Sequence, residues 1–294
     1  MTTANTLPTA AAGVADAPRS AAPAGPAPSP AYAAYLAGLG RRARIVRLWQ
    51  VAILVGVFAL WEIGPRMHWV NPMLTSYPSA IATTLGRMLA DGSLVQHSLA
   101  TAYAALVGFS GGMLIGIGVA VALWLSPMLY RVLDPFIVVL NAMPKIALVP
   151  IFYIWLGDQA SIYAMAIAIS VFITILMLYT GFRGVDPDKV KLVRVWGASR
   201  LQVLTKVVLP GSVPTMISAL KVNIGLALVG VVVGEFQAAS VGLGHLIIYG
   251  SQIFQMNLVM ASIVTLGAMS ALLFIAVQSF ERLVMRRRGD RLAV

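Results

Sequence analysis

From Leu99 to Leu129 the chain carries no Asp, Glu, Lys or Arg. A helix needs about 20 apolar residues to cross the hydrocarbon core of a bilayer, and this run exceeds that length. It is one of several, and together they set the mean hydropathy at +0.87, with 59% hydrophobic and 11% charged residues. Soluble domains carry about a quarter charged residues, so the chain reads as an all-α integral membrane protein.

The apolar runs and their charged borders predict six spans, at about 48–64, 99–125, 135–156, 160–182, 213–233 and 258–280. Lys145 falls inside the third, Lys221 inside the fifth, and Glu62 near the end of the first. Residues 1–40, rich in Ala and Pro, cannot bury enough surface to offset the entropy of ordering and read as a disordered tail. The membrane domain then covers 41–288, and 289–294 forms a second tail. The first apolar run follows Arg41, Arg42, Arg44 and Arg47, the pattern of an uncleaved first span and not of a signal peptide.

Lys and Arg favour the cytoplasmic ends of spans. Placing both termini inside gathers sixteen of them there: four at 41–47, Arg131, six at 183–206 and five at 282–291. Only Arg66 and Arg87 then lie outside, which predicts cytoplasmic termini. The net charge of +11 is accounted for by these borders, so it points to membrane orientation and not to nucleic acid. The chain has no Cys, which excludes disulfides, thiolate metal sites and cysteine nucleophiles. Its three histidines, His68, His97 and His245, are scattered, and no metal or cofactor is expected. Two outer segments are too broken to be ordinary spans: 66–98, with an amphipathic helix predicted from Ser79 to Leu89, and 234–257, which reads as a short buried or re-entrant piece.

The inside loop 183–212 has the local chemistry of two short helices. Asp186 can cap a first turn that begins with Pro187. Gly197 ends that helix near Trp196, and Ser199 with Gln202 makes a capping box for a second, which is expected to stop before Pro210. Val190, Val193, Trp196, Leu201, Leu204 and Val208 leave an apolar stripe. Such a hairpin can lie on anionic headgroups or dock a cytoplasmic partner, and the pattern alone leaves both open.

The segment Asp186 to Pro210, with Gly197, Ala198 and Ser199, then Val208, Leu209, Pro210 and Pro214, resembles the EAA loop of permeases in bacterial ABC importers. The block from Met143 to Pro150 with Trp155, Leu156 and Gly157 agrees, as do Gly234, Glu235 and Phe236 followed by Gly242, Leu243 and Gly244. Together these are similar to the nitrate/sulfonate/taurine branch over about residues 45 to 288. The resemblance implies a multi-pass inner-membrane permease acting as a homodimer, with cytoplasmic ATPase subunits and a periplasmic or lipid-anchored solute-binding protein. It also implies that Asp188, Lys191, Arg194, Gly197, Ala198, Ser199 and Arg200 contact the ATPase. One departure stands out, because Lys191 occupies the position of the motif's Glu, with Leu192 and Val193 in place of two alanines. No phosphate-binding G-x-x-x-x-G-K-[ST] occurs in the chain, so ATP hydrolysis is expected in another subunit.

An ionised Lys at mid-membrane costs about 2.5–3.5 kcal/mol on insertion scales. For Lys145, bracketed by Pro144 and Pro150, free carbonyls such as that of Asn141 can offset this, or an anionic substrate can. Lys221 and Glu235 raise the same question, with Glu235 expected as a helix-end or gate contact. Asn141, Lys145, Lys221 and Glu235 are thus the candidate translocation-path residues, and small anions lead as solutes, with neutral vitamin or pyrimidine precursors as the alternative. A secondary transporter would need coupling carboxylates deep in the spans, where none is expected. An intramembrane enzyme would need a nucleophile–base pair or metal ligands, and neither cluster is visible. The repeated G-x-x-x-G of Gly108, Gly112 and Gly116 predicts close helix packing, within the subunit or across a dimer.

Overall fold

The computed structural model describes residues 30–292, with side chains described for 44–71 and 73–283. The expected disordered tail lies outside the described residues as far as residue 29, and a helix already begins at Pro30. The elements are α1 (Pro30–Arg66), α2 (Pro72–Thr75), α3 (Pro78–Ala90), α4 (Ser93–Leu125), α5 (Pro127–Ala142), α6 (Val149–Arg183), α7 (Pro187–Val195), α8 (Arg200–Val203), α9 (Leu209–Gly211), α10 (Val213–Ala238), α11 (Leu243–Gln252) and α12 (Met256–Leu292). Two compact units divide the chain, Met1–Val57 and Phe58–Val294. In the first, Leu48, Trp49, Ile53 and Leu54 are exposed along α1. The helix packing and the sites described below lie in the second.

Among the described residues, five helices are long and apolar enough to cross a membrane: Arg44–Arg66, Ser93–Leu125, Lys145–Arg183, Val213–Ala238 and Met256–Leu283. The count differs from the six expected because the stretch 135–156 is not one helix. Met143 precedes Pro144, which pushes it out of the α region (φ −64, ψ 137) and ends α5 at Ala142. A 3₁₀ turn over Lys145–Leu148 follows, and α6 then starts with Pro150 in its first turn. Gly157 (φ +74, ψ −172) breaks α6 near the border expected between the third and fourth spans.

At the centre, α6 packs on α4 and α10. The glycine repeat explains the first contact. A Cβ on Gly108, Gly112 or Gly116 would overlap Ala166, Ser170 or Thr174 respectively, so the repeat on α4 meets a matching four-residue repeat of small side chains on α6. The packing is therefore within one subunit. Ser170 and Thr174 donate to the carbonyls of Ala166 (2.9 Å) and Ser170 (2.8 Å), which lets polar side chains sit at a dry helix crossing. The predicted amphipathic helix is α3, which buries Ala80, Ile81, Thr84 and Met88.

Candidate functional site

Four features of the second unit hold the candidate path and coupling residues, while Glu62 pairs apart from them with Arg66 and accepts from Ser79 N–H (2.9 Å). The first is the start of α11, the short piece between two long spans. The first N–H groups of a helix lack partners within it, and here three consecutive ones are taken by side chains of other helices. Gly242 N–H donates to His97 Nδ1 (2.9 Å), Leu243 N–H to Thr101 Oγ1 (2.8 Å) and Gly244 N–H to Glu235 Oε2 (2.7 Å). Thr101 in turn donates to Glu235 Oε1 (2.8 Å). Glu235 is 2% exposed, and its carboxylate faces the positive end of the α11 dipole. Any side chain at Gly242 would overlap the Glu235 carboxylate, and φ there is +139; one at Gly244 would meet Glu235 Oε2 at 2.8 Å. Gly234–Glu235 and Gly242–Leu243–Gly244 thus form one unit that anchors α11 to α4 and α10.

The second feature surrounds Lys145. Its ammonium donates to the Asn141 carbonyl (2.8 Å) and lies 5.5 Å from the Phe172 ring centroid. The carbonyl is unpaired in its helix because the chain breaks at Met143–Pro144, so the expected pairing is present. Among the described residues no carboxylate lies within 4.0 Å of this ammonium. It borders a recess of about 420 Å³ whose other walls are apolar, including Leu140, Phe152, Ile167 and Phe172.

The third feature is an ion pair that the sequence reading lacked. Lys221 on α10 lies 2.6 Å from Glu281 on α12, both partly buried. Lys221→Met alone is expected to destabilise the protein by about 2 kcal/mol, since it strands a partly buried carboxylate. Lys221→Met with Glu281→Gln should recover at least half of that loss in thermal melts; equal losses would mean the pair is energetically idle. The four expected path residues therefore have three separate sets of partners: Asn141 with Lys145, Lys221 with Glu281, and Glu235 with Thr101 and Gly244.

The fourth feature is the hairpin 183–212. Asp186 caps α7 by accepting from Asp188 N–H (2.9 Å), with Pro187 at the first helical position. At the other end Ala198 N–H reaches the Val193 carbonyl (3.3 Å) and Gly197 N–H the Arg194 carbonyl (2.9 Å), the double bond of a Schellman ending. That ending needs a left-handed residue, and Gly197 has φ +83. The Ser199–Gln202 capping box is complete. The second helix does not stop before Pro210 as expected. A π turn over Leu204–Val208 widens the helix ahead of the proline, and α9 carries it past Pro210 to Gly211. The expected apolar stripe divides: Val190, Val193, Leu204 and Val208 pack on the bundle, whereas Trp196 and Leu201 join Leu192 and Val195 as exposed side chains. Lys191 lies 3.2 Å from Asp188, both exposed. Arg194 and Ser199 are exposed and Ala198 is half-buried. Arg200 donates to the last carbonyl of α4, that of Leu125 (3.0 Å), tying the hairpin to a span.

The sequence alone singled out neither Thr101 nor Glu281, and gave His97 no role beyond that of a scattered histidine. A glycine-flanked helix start such as Gly242–Leu243–Gly244 offers no side-chain cap of its own, a signal that acceptors must come from elsewhere. Glu281 is the acid nearest the end of the sixth apolar run, on the side where the fifth begins.

Helices of bilayer length, a short helix pinned between them and a capped hairpin joining α6 to α10 are the architecture of a polytopic membrane protein. The chain belongs to the family described as the binding-protein-dependent transport system inner membrane component, whose model matches residues 112–290. It is an inner-membrane ABC importer permease subunit, and ATP hydrolysis in that family resides in a separate subunit. An Escherichia coli (strain K12) protein named as an aliphatic sulfonates transport permease, SsuC, is 28% identical over 79% of this chain and 89% of its own length. The riboflavin transport system permease RibX of Chloroflexus aurantiacus is 28% identical over 79% of this chain and 87% of its own. Among solved structures, a chain of the inward-facing MetNI methionine ABC transporter is similar with a TM-score of 0.58, at 18% identity, covering 66% of this chain and 97% of that one.

Proposed function

We propose that this chain moves a small anionic solute of the sulfonate class, as one half of a permease homodimer, and receives the ATPase on the hairpin 183–212. The observation that carries the reading is the split of the hairpin's apolar residues. One set is fixed to the bundle, while Leu192, Val195, Trp196 and Leu201 form an exposed patch beside Asp188, Lys191, Arg194 and Ser199. An exposed apolar patch rimmed by polar groups marks a protein contact. Arg200 bonded to the end of α4 offers a rigid path from that contact into a span. The anionic solute is supported by Lys145, which uses one of its three donors on Asn141 and faces an otherwise apolar recess, and by the likeness to SsuC. The equal likeness to RibX and the apolar walls of the recess favour a neutral vitamin as the second reading. Both termini are cytoplasmic in this account, and α5 with the broken stretch to Gly157 supplies the sixth crossing.

Orientation is tested by Ser199→Cys in this cysteine-free chain. A membrane-impermeant maleimide is expected to label it only after the cells are opened, and labelling in intact spheroplasts would reverse the topology. For the solute, Lys145→Met is expected to lower anion uptake at least tenfold while the permease still assembles with its ATPase and hydrolyses ATP at the basal rate. Normal anion uptake by this variant would leave Lys145 a structural role only.

A further inference from the structure

Where α4 ends, α5 begins and α6 runs into the hairpin, the structure forms an open cavity of about 620 Å³. Its wall carries Arg131, Arg183, Lys191, Arg194 and Arg200 and no carboxylate. Tyr130 and Tyr179, stacked at 4.3 Å between centroids, form an aromatic floor. Two of the five cations are engaged. Arg200 holds the Leu125 carbonyl, and Lys191 pairs with Asp188 on an exposed surface, where such pairs contribute little. Among the described residues no carboxylate lies within 4.0 Å of Arg131, Arg183 or Arg194. Asp134 lines an adjoining recess with Tyr130 and Arg183, so with Asp188 beside Lys191 two negative charges stand against five positive ones.

Like charges gathered around one cavity repel, and a multivalent anion offsets that repulsion. Guanidinium groups bind phosphate through paired N–H donors. Leu125 and Arg183 end the spans α4 and α6, so the cavity opens at headgroup depth, where basic pockets between helices take anionic headgroups. Lys191, standing where the resembled motif has Glu, adds to the charge. We propose that this cavity binds a phosphate-bearing anion, with Arg131, Arg183 and Arg194 as its ligands. The inference stands on the cavity's charge and not on the solute the chain moves, so either can fail alone.

The test uses the full chain and two probes. Phosphatidylglycerol retention is compared with phosphatidylcholine retention by native mass spectrometry, and inorganic phosphate is titrated calorimetrically into the chain in phosphatidylcholine nanodiscs. Arg131→Gln and Arg183→Gln are each expected to weaken binding about fivefold, and together about 25-fold. Lys206→Gln, the same charge change outside the cavity, should leave it unaltered. Thermal melts confirm folding of each variant, and Lys191→Glu at the exposed rim serves if Arg183→Gln does not fold. Binding of the lipid alone identifies a headgroup and binding of phosphate alone a soluble anion, and either result supports the site. The proposal is overturned if neither probe binds, if phosphatidylcholine is retained as tightly, or if Lys206→Gln weakens binding as much as the cavity variants do.

Discussion

Replacing Gly197 with Leu is expected to remove the ATPase from the purified complex, by at least tenfold, at normal permease abundance. A left-handed φ costs an L-residue about 1–2 kcal/mol, and Gly197 sits at +83 in the turn that ends α7. A Cβ there would meet no atom within 4 Å, so the substitution disturbs no core packing. Its effects are local: strain in the turn that sets the angle between α7 and α8, and a branched side chain in the space of the proposed contact. Gly197→Asn separates the two, because Asn tolerates the left-handed region and is smaller. It should retain the ATPase to within threefold. Full retention by Gly197→Leu, with transport intact, would take the coupling role away from this hairpin.

Glu235→Ala is expected to destabilise the protein by about 3 kcal/mol, because the Thr101 hydroxyl and the Gly244 N–H lose a charged acceptor in a buried setting. In a melt this corresponds to a fall of about 10 °C. Glu235→Gln keeps the shape and an acceptor for Gly244, so it should lose less than a third as much. Gly242→Ala should match Glu235→Ala, since its Cβ overlaps the same carboxylate from the other side. If Glu235→Ala melts within 2 °C of the unaltered chain, α11 is not held by this carboxylate.

The spans were legible where an apolar run ends at a charge, because bilayer length and composition are local properties. The caps of Asp186 and Ser199 and the turn at Gly197 were legible for the same reason, each being decided within about four residues. What escaped is set by partners far apart in the chain. Lys221 reads as an isolated charge until Glu281 on another helix is placed 2.6 Å away. Glu235 reads as a helix-end residue until Thr101 and Gly244 enclose it. The glycine repeat predicted close packing, but only the register of Ala166, Ser170 and Thr174 assigns that packing to one subunit. The stretch expected as the third span is not one continuous helix, since the residue before Pro144 marks a helix end that the hydropathy of 135–156 hides.

The most direct test of the account is uptake by proteoliposomes containing this chain, its ATPase and its solute-binding protein. An alkanesulfonate and riboflavin are offered in turn, with ATP supplied or withheld on the ATPase side. The account predicts sulfonate accumulation that requires both ATP and the binding protein, and no riboflavin uptake. Solute uptake driven by an ion gradient without ATP would contradict it.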